Sequence, residues 1–214
     1  MGYIWVFLTG FALSGIWKGL HALLYSFLYR KKVKGADVIS LFIVSVIPAA
    51  VIYYVIEDHP FHFENMADLG LWGIAVLTCA LTAVFVLLLS KREKYADRKL
   101  LLKGCFDGIL MEIPQRAMMQ TFVAFLLPLF GKDVRWCVLI NALIWCACII
   151  FQSVVGKRKD YGELSVELIS SFVFSMGIGY VFMKSGCIIF SMLAHAGERY
   201  LTYSPGIRFS RAEK

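Results

Sequence analysis

Charge is scarce in this sequence, and where it occurs it is bunched. Only 17% of the 214 residues are Asp, Glu, Lys or Arg, against 59% hydrophobic, and mean hydropathy is +0.71. A soluble domain covers its core with far more charge than this, so the composition excludes one. No internal repeat and no low-complexity tract interrupts the pattern. No basic segment precedes the first apolar run, which is also too long for a signal-peptide core, so it reads as a span. The basic blocks lack the stacking aromatics of a nucleic-acid binder, so the formal charge of +7 points to loop retention and anionic lipid instead. Nor is there a disulfide framework. The six cysteines (Cys79, Cys105, Cys137, Cys146, Cys148, Cys187) lie in or beside apolar runs and read as small buried thiols. Cys146 and Cys148, two apart, point away from each other on a helix and make a poor metal pair.

What is present is a series of apolar stretches, each near or above the roughly 18 residues that cross a hydrocarbon core of about 30 Å. They fall at about 3–29, 38–56, 69–90, 104–130, 136–155, 164–183 and 187–203, with Pro48 a kink in the second. The expected fold is all-α: a polytopic transmembrane helical bundle of about seven spans, one integral membrane domain over residues 1–214. Loop charge alternates. Basic loops follow spans one, three and five, while the loop after span two holds Glu57, Asp58, Glu64 and Asp68 without Lys or Arg. The positive-inside rule then predicts a plasma-membrane protein with its N-terminus out and its C-terminus cytoplasmic. His59 and His62 share the acidic loop, but Pro60 intervenes and a structural role outweighs metal ligation.

A few ionisable groups lie inside the apolar runs, where they mark functional candidates by default. Lys18 and His21 share a face of span one, with Lys18 expected to point into the bundle. In Met111-Glu112-Ile113-Pro114-Gln115-Arg116, Glu112 and Arg116 stand one helical turn apart. Pro114 between them cannot donate to the carbonyl of Leu110, which frees a polar backbone group. The pair reads equally as a functional site or as a self-neutralising ion pair. Counted from the cytoplasmic side, Glu112 and His195 each lie about eight residues deep, roughly 12 Å at 1.5 Å per residue. Two polar sites far apart in sequence are thus expected at one level of the bilayer.

These residues carry a resemblance. Glu112-x-x-x-Arg116, the Gly-rich Met176-Gly177-Ile178-Gly179-Tyr180 and Ser191-Met192-Leu193-Ala194-His195-Ala196-Gly197 resemble the CAAX protease and bacteriocin-processing family over about residues 102–203. That family of intramembrane endopeptidases includes the type II CAAX prenyl endopeptidases. Its motifs are E-E-x-x-x-R, F-x-x-x-H and H-x-x-x-N on three helices. Glu112 matches the second Glu and Arg116 the Arg, whereas Met111 stands at the first Glu, to which activation of the attacking water is assigned. Trp145 takes the Phe position and Ile149 the His position; His195 matches the third motif's His, and Arg199 replaces its Asn.

The resemblance implies an endopeptidase with altered motifs whose catalytic set is Glu112, His195 and Arg116: Glu112 as base, His195 as water or oxyanion partner, Arg116 as support. Its substrate would be a peptide or prenylated peptide. The family is described both as zinc-dependent and as glutamate-dependent, so zinc and no cofactor both stay open. A non-catalytic relative that binds a peptide or partner helix, in bacteriocin self-immunity or membrane regulation, is a second reading. A small transporter using Lys18, Glu112 and His195 is a third.

Overall fold

The computed structural model describes residues 1–56, 61–90 and 98–203. Glu57, Asp58 and His59 of the acidic loop, the basic loop 91–97 and the tail 204–214 lie outside the described residues. The rest is helical: α1 (Gly2–Arg30), α2 (Ala36–Ile56), α3 (Leu69–Leu89), α4 (Arg98–Glu112), α5 (Thr121–Leu129), α6 (Cys137–Val155), α7 (Tyr161–Ser185) and α8 (Ile188–Tyr203). A π-helical turn, Ile113–Gln120, joins α4 to α5 in one rod. The described residues therefore form an all-α bundle whose rods coincide with the seven expected runs.

Five helices among the described residues are long and apolar enough to cross a membrane, and the chain is an integral membrane protein. The α4–α5 rod and α8 do not meet that test. Both carry the polar residues singled out above, and α8 has only 16 residues.

The connections are capped where their sequences provide it. Asp68 accepts from the backbone N–H groups of Gly70 (2.8 Å) and Leu71 (3.2 Å) at the start of α3, and Asp160 accepts from Glu163 N (3.0 Å) at the start of α7. The turn after α7 closes on Gly186, whose φ of 62° a side chain would resist. The ends of the rods fall on two sides. On one, Asn65 donates to Ser185 O (2.6 Å) and Tyr3 packs edge-on against Trp136. On the other, Lys103 pairs with Asp37 and Ser90 donates to Glu163 (2.7 Å). This is the alternation expected from loop charge.

Two apolar clusters hold the rods. One joins α1, α2, α5 and α6 around Val6, Val123, Leu127 and Ile144; the other joins α3, α7 and α8 around Ile178, Val181 and Phe190. Helices α3 and α7 approach closely enough that a Cβ on Gly177 would sit 2.1 Å from Thr78 Oγ1 and 2.8 Å from its Cβ. The Thr78 hydroxyl is bonded back to Ile74 O (2.8 Å), so the side chain has no easy retreat. Gly177→Ala should therefore destabilise the bundle by about 1–3 kcal/mol through overpacking. Gly73→Ala, which meets nothing within 4 Å, should leave thermal unfolding in detergent unchanged or slightly raised.

Candidate functional site

The site grows from the π turn. Pro114 removes one backbone donor and the wider turn leaves carbonyls without their usual helical partners. Two of these are taken up by side chains: Asn141 donates to Gln115 O (3.2 Å) and Thr121 Oγ1 to Arg116 O (3.2 Å). All seven residues from Pro114 to Gln120 are buried, so the turn is enclosed on every side.

Within it Glu112 and Arg116 are fully buried, both 0% exposed. Arg116 Nε donates to Glu112 Oε2 (3.1 Å) and Nη1 to Gln120 Oε1 (3.0 Å). Gln120 in turn donates to Gly179 O (2.7 Å), and a Cβ on Gly179 would lie 3.1 Å from both Arg116 Nη1 and Gln120 Oε1. The Gly-rich stretch of α7 thus makes room for the guanidinium. Arg116 Nη2 is buried without a hydrogen-bond partner among the described residues. Its neighbour Gln115 donates to Ser175 Oγ (2.7 Å).

The other oxygen of Glu112 faces α8. His195 Nδ1 lies 2.6 Å from Glu112 Oε1, joining residues 83 apart in sequence. The expected common level is thus a direct contact, although α4 begins at Arg98, a turn or more before the apolar run. The imidazole packs against Phe174, ring centroids 4.9 Å apart, and against Gly108, where a Cβ would come within 3.1 Å of the ring.

With Nδ1 engaged, Nε2 is the remaining ring nitrogen, and His195 lines a cavity of about 100 Å³ between α3, α4, α6, α7 and α8. Glu112 does not line it. Met111, Trp145, Glu198 and Arg199 do. Ile149 is buried but is not on the cavity wall.

Lys18 is half-buried in the bundle over the Trp145 ring, 5.0 Å from its centroid, and does not reach the cavity. His21 stacks on Trp17. His62 contacts Glu64 (3.0 Å) in the loop, and its partner in the sequence pair, His59, lies outside the described residues. Sequence reasoning did not single out Gln115, Gln120 and Glu198. Their signal was spacing alone: Gln120 stands four residues after Arg116 and Glu198 three after His195, each on the same helical face.

Residues 99–200 match the family model described as Type II CAAX prenyl endopeptidase Rce1-like. Over that stretch, a little under half of its length, the chain is similar to the CAAX protease family. No curated protein and no solved structure matches it. Zinc has been associated with this family, and the donor set can be tested against it. A catalytic zinc takes three protein ligands. Here Glu112 and His195 converge, but Ile149 and Met111 offer no donor, and Cys148 is turned to Ser14 Oγ (3.2 Å). Among the described residues no three His, Cys, Asp or Glu side chains are grouped to hold a metal ion. The residues do not fit a zinc site.

The Glu112–Arg116 pair is a stability element whatever its chemistry. Removing one partner strands the other fully buried, at a cost of about 3–5 kcal/mol. Glu112→Gln alone should lower the folded yield and thermal midpoint more than Glu112→Gln combined with Arg116→Met. A fully stable single mutant would contradict the burial described here.

Proposed function

We propose that the chain is an intramembrane endopeptidase of the CAAX protease family in which His195 is the general base and Glu112 positions it. The observation that carries this reading is the 2.6 Å contact between Glu112 Oε1 and His195 Nδ1, with the ring on the cavity wall. The Glu112 carboxylate, flanked by Arg116, accepts a hydrogen bond from the Nδ1–H of the neutral imidazole and leaves the Nε2 lone pair to the cavity. Nε2 takes a proton from water, and the water oxygen attacks the peptide carbonyl. Arg199, on the wall one turn beyond His195, stabilises the oxyanion. The imidazolium then returns its proton to the leaving nitrogen as the C–N bond breaks. Relative to the family pattern the roles shift: Glu112 is enclosed and holds the ring, and His195 meets the water. The substrate is a peptide or prenylated peptide.

A second reading has its own support. Met111 lines the cavity where the family pattern has its water-activating Glu, which suits a relative that binds a peptide or partner helix without cutting it. One assay separates the two. The purified protein, incubated with labelled prenylated and unmodified peptides, should cleave, and His195→Ala should lower the rate by at least about 100-fold. Glu112→Gln should also impair it, through misorientation of the ring. Binding without cleavage by wild type supports the second reading, as would a gain of activity on Met111→Glu with Ile149→His and Arg199→Asn.

We further propose that the N-terminus faces out and the basic loops face the cytoplasm of the plasma membrane, in line with Lys31, Lys32 and Lys34 on one side and Glu64 and Asp68 on the other. With native cysteines replaced, Glu64→Cys should react with an impermeant maleimide on intact cells. Lys157→Cys should react only after permeabilisation. The reverse pattern would overturn the orientation.

A further inference from the structure

Lys18 stands inside the first span without a counter-charge. It lies twelve residues before Arg30 and sixteen after Gly2, roughly 18 Å and 24 Å along the helix at 1.5 Å per residue. That places it near the middle of a hydrocarbon core of about 30 Å. Helix α1 itself carries no Asp or Glu, and among the described residues no carboxylate pairs with the ammonium. The Nζ sits over the Trp145 ring, whose quadrupole attracts a cation but does not neutralise it. The buried acid of the bundle, Glu112, is already engaged by Arg116 and His195.

The side of α1 turned away from the bundle permits close approach. Val6, Gly10, Ser14 and Trp17 are buried and mark its inner face. Ala12, Gly15, Gly19 and Ala22 recur three and four residues apart on the opposite side, all exposed, and a Cβ on Gly15 or Gly19 would meet nothing within 4 Å. Lys18 borders that side, three residues after Gly15 and four before Ala22. Small residues let a second backbone come near, which brings a side chain of an incoming helix within range of the ammonium.

A cation at this depth selects its partner. Lipid phosphates lie at the bilayer surface, beyond the reach of a four-carbon stem from the middle of the core. A second copy of this chain on the same face would set two Lys18 side chains together with no acid from either α1. A span of another protein with a carboxylate at mid-depth matches both the charge and the open space, and ionisable groups within spans do pair with one another. We propose that the outer face of α1 around Lys18 binds a transmembrane helix carrying an Asp or Glu side chain near its midpoint. This contact lies outside the His195 cavity and does not rest on catalysis or on peptide binding there.

The test uses synthetic spans. The full chain, donor-labelled at its N-terminus, is reconstituted in lipid vesicles with acceptor-labelled Leu/Ala helices that differ only in a central Glu, Gln, Leu or Lys, and association is read by energy transfer against the peptide-to-lipid ratio. Wild type should bind the Glu helix about 10-fold more tightly than the Leu helix, the scale of a charged hydrogen bond, and the Lys helix least. Lys18→Met should erase the Glu preference and Lys18→Arg should keep it. Gly15→Leu combined with Gly19→Leu fills open space without touching the bundle and should abolish association with the Glu helix. Equal binding of the Glu and Leu helices by wild type, or a preference that survives Lys18→Met, overturns the proposal, as does binding that survives the double Leu substitution. If Lys18→Met does not fold, the wild-type contrast and the double substitution still decide it.

Discussion

The polar groups at the centre of this bundle answer to their burial between its helices. A buried carboxylate there must find donors within the protein, and Glu112 finds two, one on its own rod and one across on α8. Their positions constrain the surroundings. Arg116 needs the space left by Gly179, Gln120 must reach the α7 backbone, and α4 must come close enough to α8 that Gly108 meets the His195 ring. The same carboxylate therefore ties α4 to α8 and, through Arg116 and Gln120, to α7.

Glu112, Arg116 and Gln120 follow one another four residues apart, so one face of the rod carries the polar groups. Here the π turn lies in the interior of the bundle, and its freed carbonyls are met by Asn141 and by Thr121. The cost is a run of seven buried residues that no amphipathic pattern announces.

Much of the bundle was legible in the sequence because hydrophobic length and loop charge are local properties. The rods coincide with the apolar runs, and the sided alternation of loops reappears in the contacts of Asn65 and Lys103. The pairing of Glu112 with Arg116 was also local, since one helical turn fixes it. Bringing Glu112 and His195 to one level needed only counting along two helices, although α4 begins earlier than its apolar residues suggested because Lys99 and Lys103 lie on its first turns. Glu198 was not legible. In sequence it is one of an acid–base pair near the end of a helix, which usually means a solvated end. Its burial comes from the packing of α3 and α7 around α8, and nothing within α8 encodes that.

The division between scaffold and site follows the same physics. Five helices among the described residues are long and apolar enough to cross a membrane, whereas α4 with 15 residues, α5 with 9 and α8 with 16 are shorter, and the α4–α5 rod and α8 carry the Glu112–Arg116–His195 cluster. Such helices are tolerated only where neighbours cover their polar faces, and α3, α6 and α7 pack around them and the cavity at His195. Enclosure also decides which group is left to act. Glu112, with no exposed surface and both oxygens engaged, is sealed from any water or substrate in that gap. His195 is the member of the trio that still meets the cavity. In the proposed reading the chemistry passes through the imidazole, and Glu112 and Arg116 hold it there.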